Sequence, residues 1–585
     1  RVVNDVAMTV LPNAPIDAAT GLPVPTIAVA TDGGVSVIKE DGTVVDYTGT
    51  SQGSDASVDQ ISFIGNSKLL FSHRYASEVV NLISTDNTSA YYNSLSSWTG
   101  RITNSISHGD TSNVSALSSD DNIESIALNE EDAASKSVSG LSLANHYQVP
   151  NDPDRIGAYI TSDYSTGWMN GDIKLATLSD TDATNVTGAE LLANNLTANV
   201  TGWASPGGTI VWNASGYADV TRGAGQGPYV ASHPLGTTLT IGEVYTVTAN
   251  IVTNNGGGNS LVRFGSSTAG GQVTDIETGT GILSATFTAT AAHTHMWLYS
   301  LPSTTTSFKE VYVRKAEQDR SVNGNGLQVF GTITKTAVAT GADLVGYSGF
   351  STTGSKVNYL RMPYASVLDF DTSFCFMGWI KIDGAVGTQD QHFFDMINDD
   401  NSNRIDMFYQ HSTTNFYITP ANGGSNVGSA AVSLGQWYHV VALANTSTTD
   451  VYVNGELSGT GAGGFNHTWP NGSVTLGTRF TEYNSSAFGL NGSMALIRLS
   501  KSTPSAAQIA KIYNDEKHLF QAGAQATLYG ASDAVTALAY DDDTELLHVG
   551  TSAGRSVFQG LRRVDNTTSA VGAAISASNG LVAED

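Results

Sequence analysis

The sequence predicts an all-β chain of several domains, and three observations carry that reading. Glycine supplies 61 of the 585 residues while only 14% are charged, a composition that suits many short strands joined by tight turns. Apolar and polar residues alternate in short runs along most of the chain, as in TIAVATDGGVSVI at Thr26–Ile38, two strands around an Asp-Gly-Gly turn. Only one segment reads as helix. A chain of 585 residues exceeds a single core, so roughly three to five units are expected.

The strands recur in units. Val58–His73, Ile123–Leu143 and Arg155–Leu178 each look like a pair or more of strands, the last ending in DIKLATL. Near the end of the chain, Ala534–Phe558 (AVTALAYDDDTELLHVGTSAGRSVF) lies strand on strand beside Val58–Val80. Recurrence of β units at roughly forty to fifty residues marks a β-propeller. Matching units at both ends are most simply one propeller-like domain, residues 1–189 and 521–585, interrupted by a long insertion. Two separate small β domains are the alternative.

The helix follows the insertion's last strand. Thr503 is expected to cap it, Pro504 suits its first position, and Ile509, Ile512 and Tyr513 fall on one face.

A formal net charge of −26 with no basic run argues against a nucleic-acid partner. Cys375, the single cysteine, lies in the apolar run Phe374–Ile380 and reads as a buried thiol. No apolar stretch is long enough to cross a membrane as a helix. The start at Arg1, without a signal-peptide pattern, suggests that something upstream is missing.

Residues 190–316 pass through LLANNLTANVTGW, GPYVASHPLGTTLTIGEVYTVTANIVT, HMWLYS and FKEVYVRK. This order resembles the jelly-roll carbohydrate-binding modules of secreted glycanases. Where those modules open with an acid-containing motif that helps hold calcium, this chain has Ala193–Ala198, which contains no acid. A polar joint, Glu317–Gly326, leads to FCFMGWIKID, GQWYHVVAL, DVYVNGEL and GSMALIRLS in residues 317–520. These motifs, with the helix after them, resemble a laminin-G-like, concanavalin-A-type sandwich. The whole string of parts is similar to virion structural proteins of tailed phages. That resemblance implies a tail or tail-fibre component at the particle surface, with other virion proteins, a homo-oligomer and host surface glycan as partners. A purely architectural virion protein, and a secreted bacterial adhesin or glycan-active protein, remain as alternatives.

No catalytic pattern stands out. GTSAG at Gly550–Gly554 lacks the strand-to-helix turn of a nucleophile elbow, and GTGAGG at Gly459–Gly464 has no helix after it. His293 and His295 alternate without a nearby third ligand. The chain is therefore read as a non-enzyme that requires no cofactor.

Sugar recognition needs flat aromatic faces beside short polar groups. In the strand around His295, Met296 and Leu298 belong to the core, which leaves His295, Trp297 and Tyr299 on the other face. Trp212, Tyr217 and Tyr229 could extend that platform, and Trp203 reads as core. Trp469 and Tyr483 lie in polar loops, where binding residues concentrate. Asp399, Asn401 and Asn403 in NDDNSNRID have the alternating oxygen ligands of a Ca²⁺ loop, although Arg404 stands where such loops carry glycine. A hairpin turn explains the same residues.

Overall fold

The computed structural model describes the chain except residues 1, 12–13, 48–57, 65–67, 74–75, 82–125, 129–131, 138–139, 146–155, 227–228, 255–259, 267–269, 277–279, 322, 354–355, 399–402, 421–425, 463–464, 466–471, 480–487, 531–534, 542–543, 552, 569–576, 579–580 and 583–585. Among the described residues strands dominate, and the one α-helix is Ala506–Glu516.

The laminin-G-like unit is a two-sheet sandwich. In one sheet, Ser373–Ile382 lies between Gly492–Ser500 and Trp437–Asn445, and Thr448–Val453 and Glu456–Ala462 continue the sheet beyond Trp437–Asn445. The facing sheet runs from Leu327–Ala337 through Tyr359–Met362, Ser473–Leu476, Gln391–Ile397, Arg404–Gln410 and Asn415–Thr419 to Val427–Ala431. Alternation in FCFMGWIKI sends Phe374, Phe376 and Ile380 inward. There the Phe374 and Phe376 rings lie 5.7 and 5.1 Å from that of Phe394. Burying each such ring contributes on the order of 2–3 kcal/mol.

The outer residues of that same strand, Cys375, Met377 and Trp379, belong to a second core with the helix residues Ile509 and Ile512. Burial pushes the Cys375 thiol up to about 12, so it is inert at neutral pH. The helix begins two residues later than the sequence suggests. Ser505 is the cap: its side chain accepts from the Gln508 N–H, and Gln508 Oε1 accepts from the Ser505 N–H at 2.7 Å. This reciprocal capping box satisfies two orphan donors at once, which leaves Thr503 and Pro504 outside the helix.

His439 lies beneath the helix, wholly buried, 5.4 Å from the Trp379 ring and 6.1 Å from that of Tyr513, and neither of its ring nitrogens has a hydrogen-bond partner among the described residues. Burial, and then the charge of Arg498, hold its pKa well below the ordinary 6.5. The folded chain therefore keeps His439 neutral while the unfolded chain takes a proton. Its contribution to stability is complete above about pH 6.5 and is lost as the pH falls toward the depressed folded value, by up to ~1.4 kcal/mol per pH unit. His439→Phe is expected to remove that share of the acid-side slope. Urea unfolding between pH 5 and 7.5 would show it, and an unchanged slope would refute it.

The jelly roll is inserted within this sandwich. Val186–Gly188 pairs with Leu327–Ala337, and the module occupies the sequence between them. Its five-stranded sheet runs Gly208–Asn213, Tyr217–Arg222, Thr305–Glu317, Val244–Asn254, Gly281–Thr288. Its four-stranded sheet runs Tyr229–Pro234, His295–Tyr299, Ser260–Gly265, Gly270–Ile276. The polar joint after it is built on Asp319, whose buried carboxylate accepts from the N–H groups of Ala176, Ser321 and Asn325. Nearby, Lys335 Nζ meets Asp180 at 2.6 Å and Tyr347 donates to Glu317 at 2.9 Å beside a polar cavity of about 170 Å³.

The domain boundary at residue 189 moves. Ile173–Thr177, read from sequence as the last strand of the repeat, pairs with Gly492–Ser500 and so joins the sandwich. The repeat itself consists of antiparallel meanders of four strands (Val3–Tyr47), three (Val58–Asn81), five (Ile126–Asn170) and four (Val535–Thr567). The second and last share a three-strand succession, as their sequences do. Leu141, Leu143 and Ile160 from the front part share the core of Trp379 and the helix with Val549 and Phe558 from the returning part. The five-strand meander and the last one therefore meet on the sandwich's outer sheet, while the first two meanders share a core of their own around Ala28, Val35 and Leu69. Meanders of unequal strand number form a repeat array, but they do not by themselves make a propeller.

Candidate functional site

Residues on the outer side of the jelly roll's four-stranded sheet come from three strands. Met296 and Leu298 enter the core, while the register sets Tyr229 opposite Tyr299 and Arg263 opposite Trp297. Trp297 is not an open stacking platform: only 2% of it is exposed, its indole donates to the Ser266 carbonyl at 3.0 Å, and its ring meets the edge of Tyr229 at 6.0 Å. What remains partly open is His295, Tyr299, Tyr229 and Arg263, whose guanidinium lies 4.7 Å from the centre of the Tyr229 ring.

Trp212 and Tyr217 do not extend this face. Both belong to the five-stranded sheet, where Trp212 pairs with Ala218 and packs against the core. Trp203 is buried and donates to the Asn194 carbonyl at 3.1 Å. His293 lies ahead of the strand, not on it, and burial lowers its pKa. Among the described residues, no group of three His, Cys, Asp or Glu side chains is placed to hold a metal ion. Trp469, Tyr483, Asp399 and Asn401 lie outside the described residues. Asn403 sits in a hairpin turn, its N–H donating to Asn398 Oδ1 at 2.9 Å.

The most concentrated chemistry lies on the outer face of the laminin-G-like sheet, and the sequence reading missed it. Strands HFFDMI and RIDMFY send Phe394, Met396, Ile405 and Met407 into the core, which leaves Asp395, Arg404, Asp406 and Phe408 outside. Asp395 and Asp406 stand directly opposite each other. Arg404 Nε reaches both, at 2.7 Å and 2.9 Å. Arg479 Nη2 approaches Asp406 at 3.4 Å, and His392 Nδ1 lies 3.9 Å from it. Gly477, with φ of +85° and its α-carbon against the Phe350 ring, turns the chain out of its strand toward Thr478 and Arg479.

The two acids are not equivalent. Burial, and then the charge of Asp406, raise Asp395 well above the ordinary range. Burial also pushes Asp406 upward, but a hydrogen bond from Asp395 together with His392, Arg404 and Arg479 outweighs it and holds Asp406 low. The pair thus keeps one proton between two carboxyls. His392, buried and then influenced by its neighbours, is pushed down to about 4 and stays neutral. Phe408 stacks on Tyr417 with ring centres 5.6 Å apart and planes 14° from parallel. His392 Nδ1, Thr475 Oγ1, Thr478 Oγ1 and Arg479 Nε are buried atoms with no hydrogen-bond partner among the described residues.

A hydrogen-bonded acid pair is closer than the roughly 5–9.5 Å that glycoside hydrolysis requires between its two carboxyls. The arrangement instead offers charged groups beside an aromatic stack, which suits binding.

Residues 353–510 match the family model described as the concanavalin A-like lectin/glucanases superfamily, of laminin G type. No curated protein matches the chain. Among solved structures, domain 4 of AbnA, an extracellular arabinanase from Geobacillus stearothermophilus in complex with arabinotriose, is 16% identical. That comparison covers 34% of this chain and 92% of the other, with a TM-score of 0.26. A putative carbohydrate binding protein from Bacteroides ovatus is 13% identical over 58% of this chain and 92% of its own, at 0.22. A Trypanosoma rangeli sialidase is 8% identical over 86% and 70%, at 0.25. Scores this low carry neither ligand nor activity across.

Proposed function

We propose that this chain is a non-enzymatic glycan-binding protein of a tailed-phage virion, placed in the tail or its fibres and displayed on the particle surface. The observation that supports glycan binding is the outer face of the laminin-G-like sheet, where the partly exposed ring of Tyr417, backed by the buried Phe408, shares the face with the partly exposed Arg404 and Arg479. Hydrogen-bonding groups beside an apolar ring are what a sugar's hydroxyls and C–H surfaces need. The virion placement rests on the order of parts, with a repeat at both ends around two sandwiches. Many copies, with host glycan and other virion proteins as partners, would let avidity supply what one shallow site lacks. The reading needs no cofactor. Ca²⁺ at the Asp399–Asn403 turn is a subsidiary proposal, tested by adding EDTA to the binding assay.

Calorimetric titration with a panel of bacterial surface polysaccharides tests the binding. Tyr417→Ala is expected to weaken it about three- to tenfold, the 0.5–1.5 kcal/mol of an aromatic contact, without moving the unfolding midpoint appreciably. Failure of every glycan to bind would sink the reading. Release of reducing sugar would overturn the non-enzymatic part, and absence of the chain from purified particles would remove the virion placement.

A further inference from the structure

We infer that Lys335 and Asp180 become joined by an amide bond between their side chains, a covalent clamp at the root of the jelly roll that the chain forms unaided. The observation behind it is an amine, a carboxyl and a second acid held together in one buried place. Lys335 Nζ lies 2.6 Å from Asp180 Oδ2 and 3.8 Å from Glu317 Oε2. The Tyr347 hydroxyl lies 2.9 Å from the same Glu317 oxygen and 3.3 Å from Asp180 Oδ2. Only 4% of the Lys335 side chain is exposed, and Tyr347 is buried. Hydrogen bonds with neighbouring groups fix both reactants: the Lys335 N–H donates to Asn185 Oδ1 at 3.0 Å, and Asp180 Oδ1 accepts from the Asp182 N–H at 2.7 Å, leaving Oδ2 to face the amine. Well-oriented groups held in contact react as if at about 10⁵–10⁸ M.

The step balances within the site. The Lys335 ammonium gives a proton to a carboxyl, and the freed amine attacks Cγ of Asp180. The N–C bond forms, the Cγ–Oδ2 bond breaks, and the oxygen leaves as water with two of the three ammonium protons. An ammonium and a carboxylate thus become a neutral amide, and no co-reactant is consumed. The Asp182 N–H on Oδ1 steadies the charge that this oxygen gathers as the amine adds. Glu317 is placed to carry the proton from nitrogen to the departing oxygen. Burial, the largest influence on it, raises its pKa and favours the protonated form that can give a proton up. The water has an exit in the polar cavity of about 170 Å³ that Asp180, Glu317 and Lys335 line. The product also relieves the site of a desolvated ion pair. Asp180 precedes the strand Val186–Gly188, Lys335 lies in its partner Leu327–Ala337, and the whole jelly roll lies between them. Tension on that module would peel its two root strands apart; with the clamp in place, the load passes through a covalent bond.

The test is the intact mass of the full chain, measured under denaturing conditions. The wild type is expected to weigh one water less than its sequence, and a tryptic digest should contain a branched peptide joining Leu175–Arg222 to Ser321–Lys356. Lys335→Arg and Asp180→Ala should each keep their full sequence mass, with circular dichroism checking that they fold. Glu317→Gln should slow the loss of water about a hundredfold, the contribution of a positioned proton carrier. A wild type at full sequence mass, both fresh and after prolonged incubation at neutral pH, would overturn the inference and leave an ordinary ion pair. So would loss of water without the branched peptide, the mark of an aspartate cyclised onto its own backbone, or a loss that persists in Lys335→Arg. Bond formation in Glu317→Gln at the wild-type rate would overturn the part given to Glu317. None of these outcomes depends on whether a glycan binds.

Discussion

Glu516→Ala is expected to lower the stability of the sandwich by about 3–5 kcal/mol, the cost of stripping one partner from a buried ion pair. Glu516 is wholly buried at the end of the helix, and Arg498, on the strand beneath, is nearly so. Their contact is bidentate: Arg498 Nη1 meets Glu516 Oε1, and Nη2 meets Oε2 at 2.9 Å. The same carboxylate accepts from the Trp379 indole at 2.8 Å and from the Trp168 N–H at 2.9 Å, while Arg498 Nη1 also donates to the Trp168 carbonyl. One residue thus ties the helix to the outer sheet and to the segment that precedes the jelly roll. Truncation leaves a guanidinium in a low-dielectric core with two further donors unmet, and each unmet donor costs on the order of 1–3 kcal/mol before relaxation. Denaturant midpoints would show the loss. The paired Glu516→Leu, Arg498→Met variant should be more stable than Glu516→Ala, because no charge is stranded. A single-variant loss below about 1 kcal/mol would mean that water or another group compensates Arg498.

The sequence exposes faces more readily than partners. Alternation in FCFMGWIKI correctly separates Phe374 and Phe376 from Cys375 and Trp379, because side-chain direction in a strand has period two. It cannot say which strand lies alongside. In sequence Ile173–Thr177 therefore groups with the repeat that precedes it, although its partner, Gly492–Ser500, is more than three hundred residues away. Trp297 shows the same limit: its face was legible, but its cover was not, since Ser266 and Tyr229 come from other strands and loops. The acid pair left a fainter trace. Asp395 in FFDMI and Asp406 in RIDMF are charged residues within apolar runs, an arrangement that demands a partner if the strands are buried. In sequence Arg404 stands out only as the wrong residue for a calcium loop, whereas in the fold it is that partner.

Arg404→Ala should therefore be the most damaging change on the laminin-G-like face, with a loss of about 3–5 kcal/mol at neutral pH. Asp395 has no exposed surface and Asp406 almost none, and the variant removes the donor that reaches both. The pH dependence distinguishes this from a simple loss of packing. In the wild type Asp406 has a lowered folded pKa, so its contribution to stability is present above the ordinary carboxylate pKa of 3.8 and is lost as the pH falls through the lowered value. Without Arg404 that lowering weakens, and both carboxyls tend toward the protonated form. The deficit of the variant should thus be largest near pH 7 and shrink as the pH approaches 4, in urea titrations run in parallel with the wild type. A deficit independent of pH would assign the effect to the lost aliphatic stem of Arg404. Asp395→Asn supplies the complementary reading: it keeps a neutral donor toward Asp406, so it should cost much less than Arg404→Ala and leave Asp406 charged.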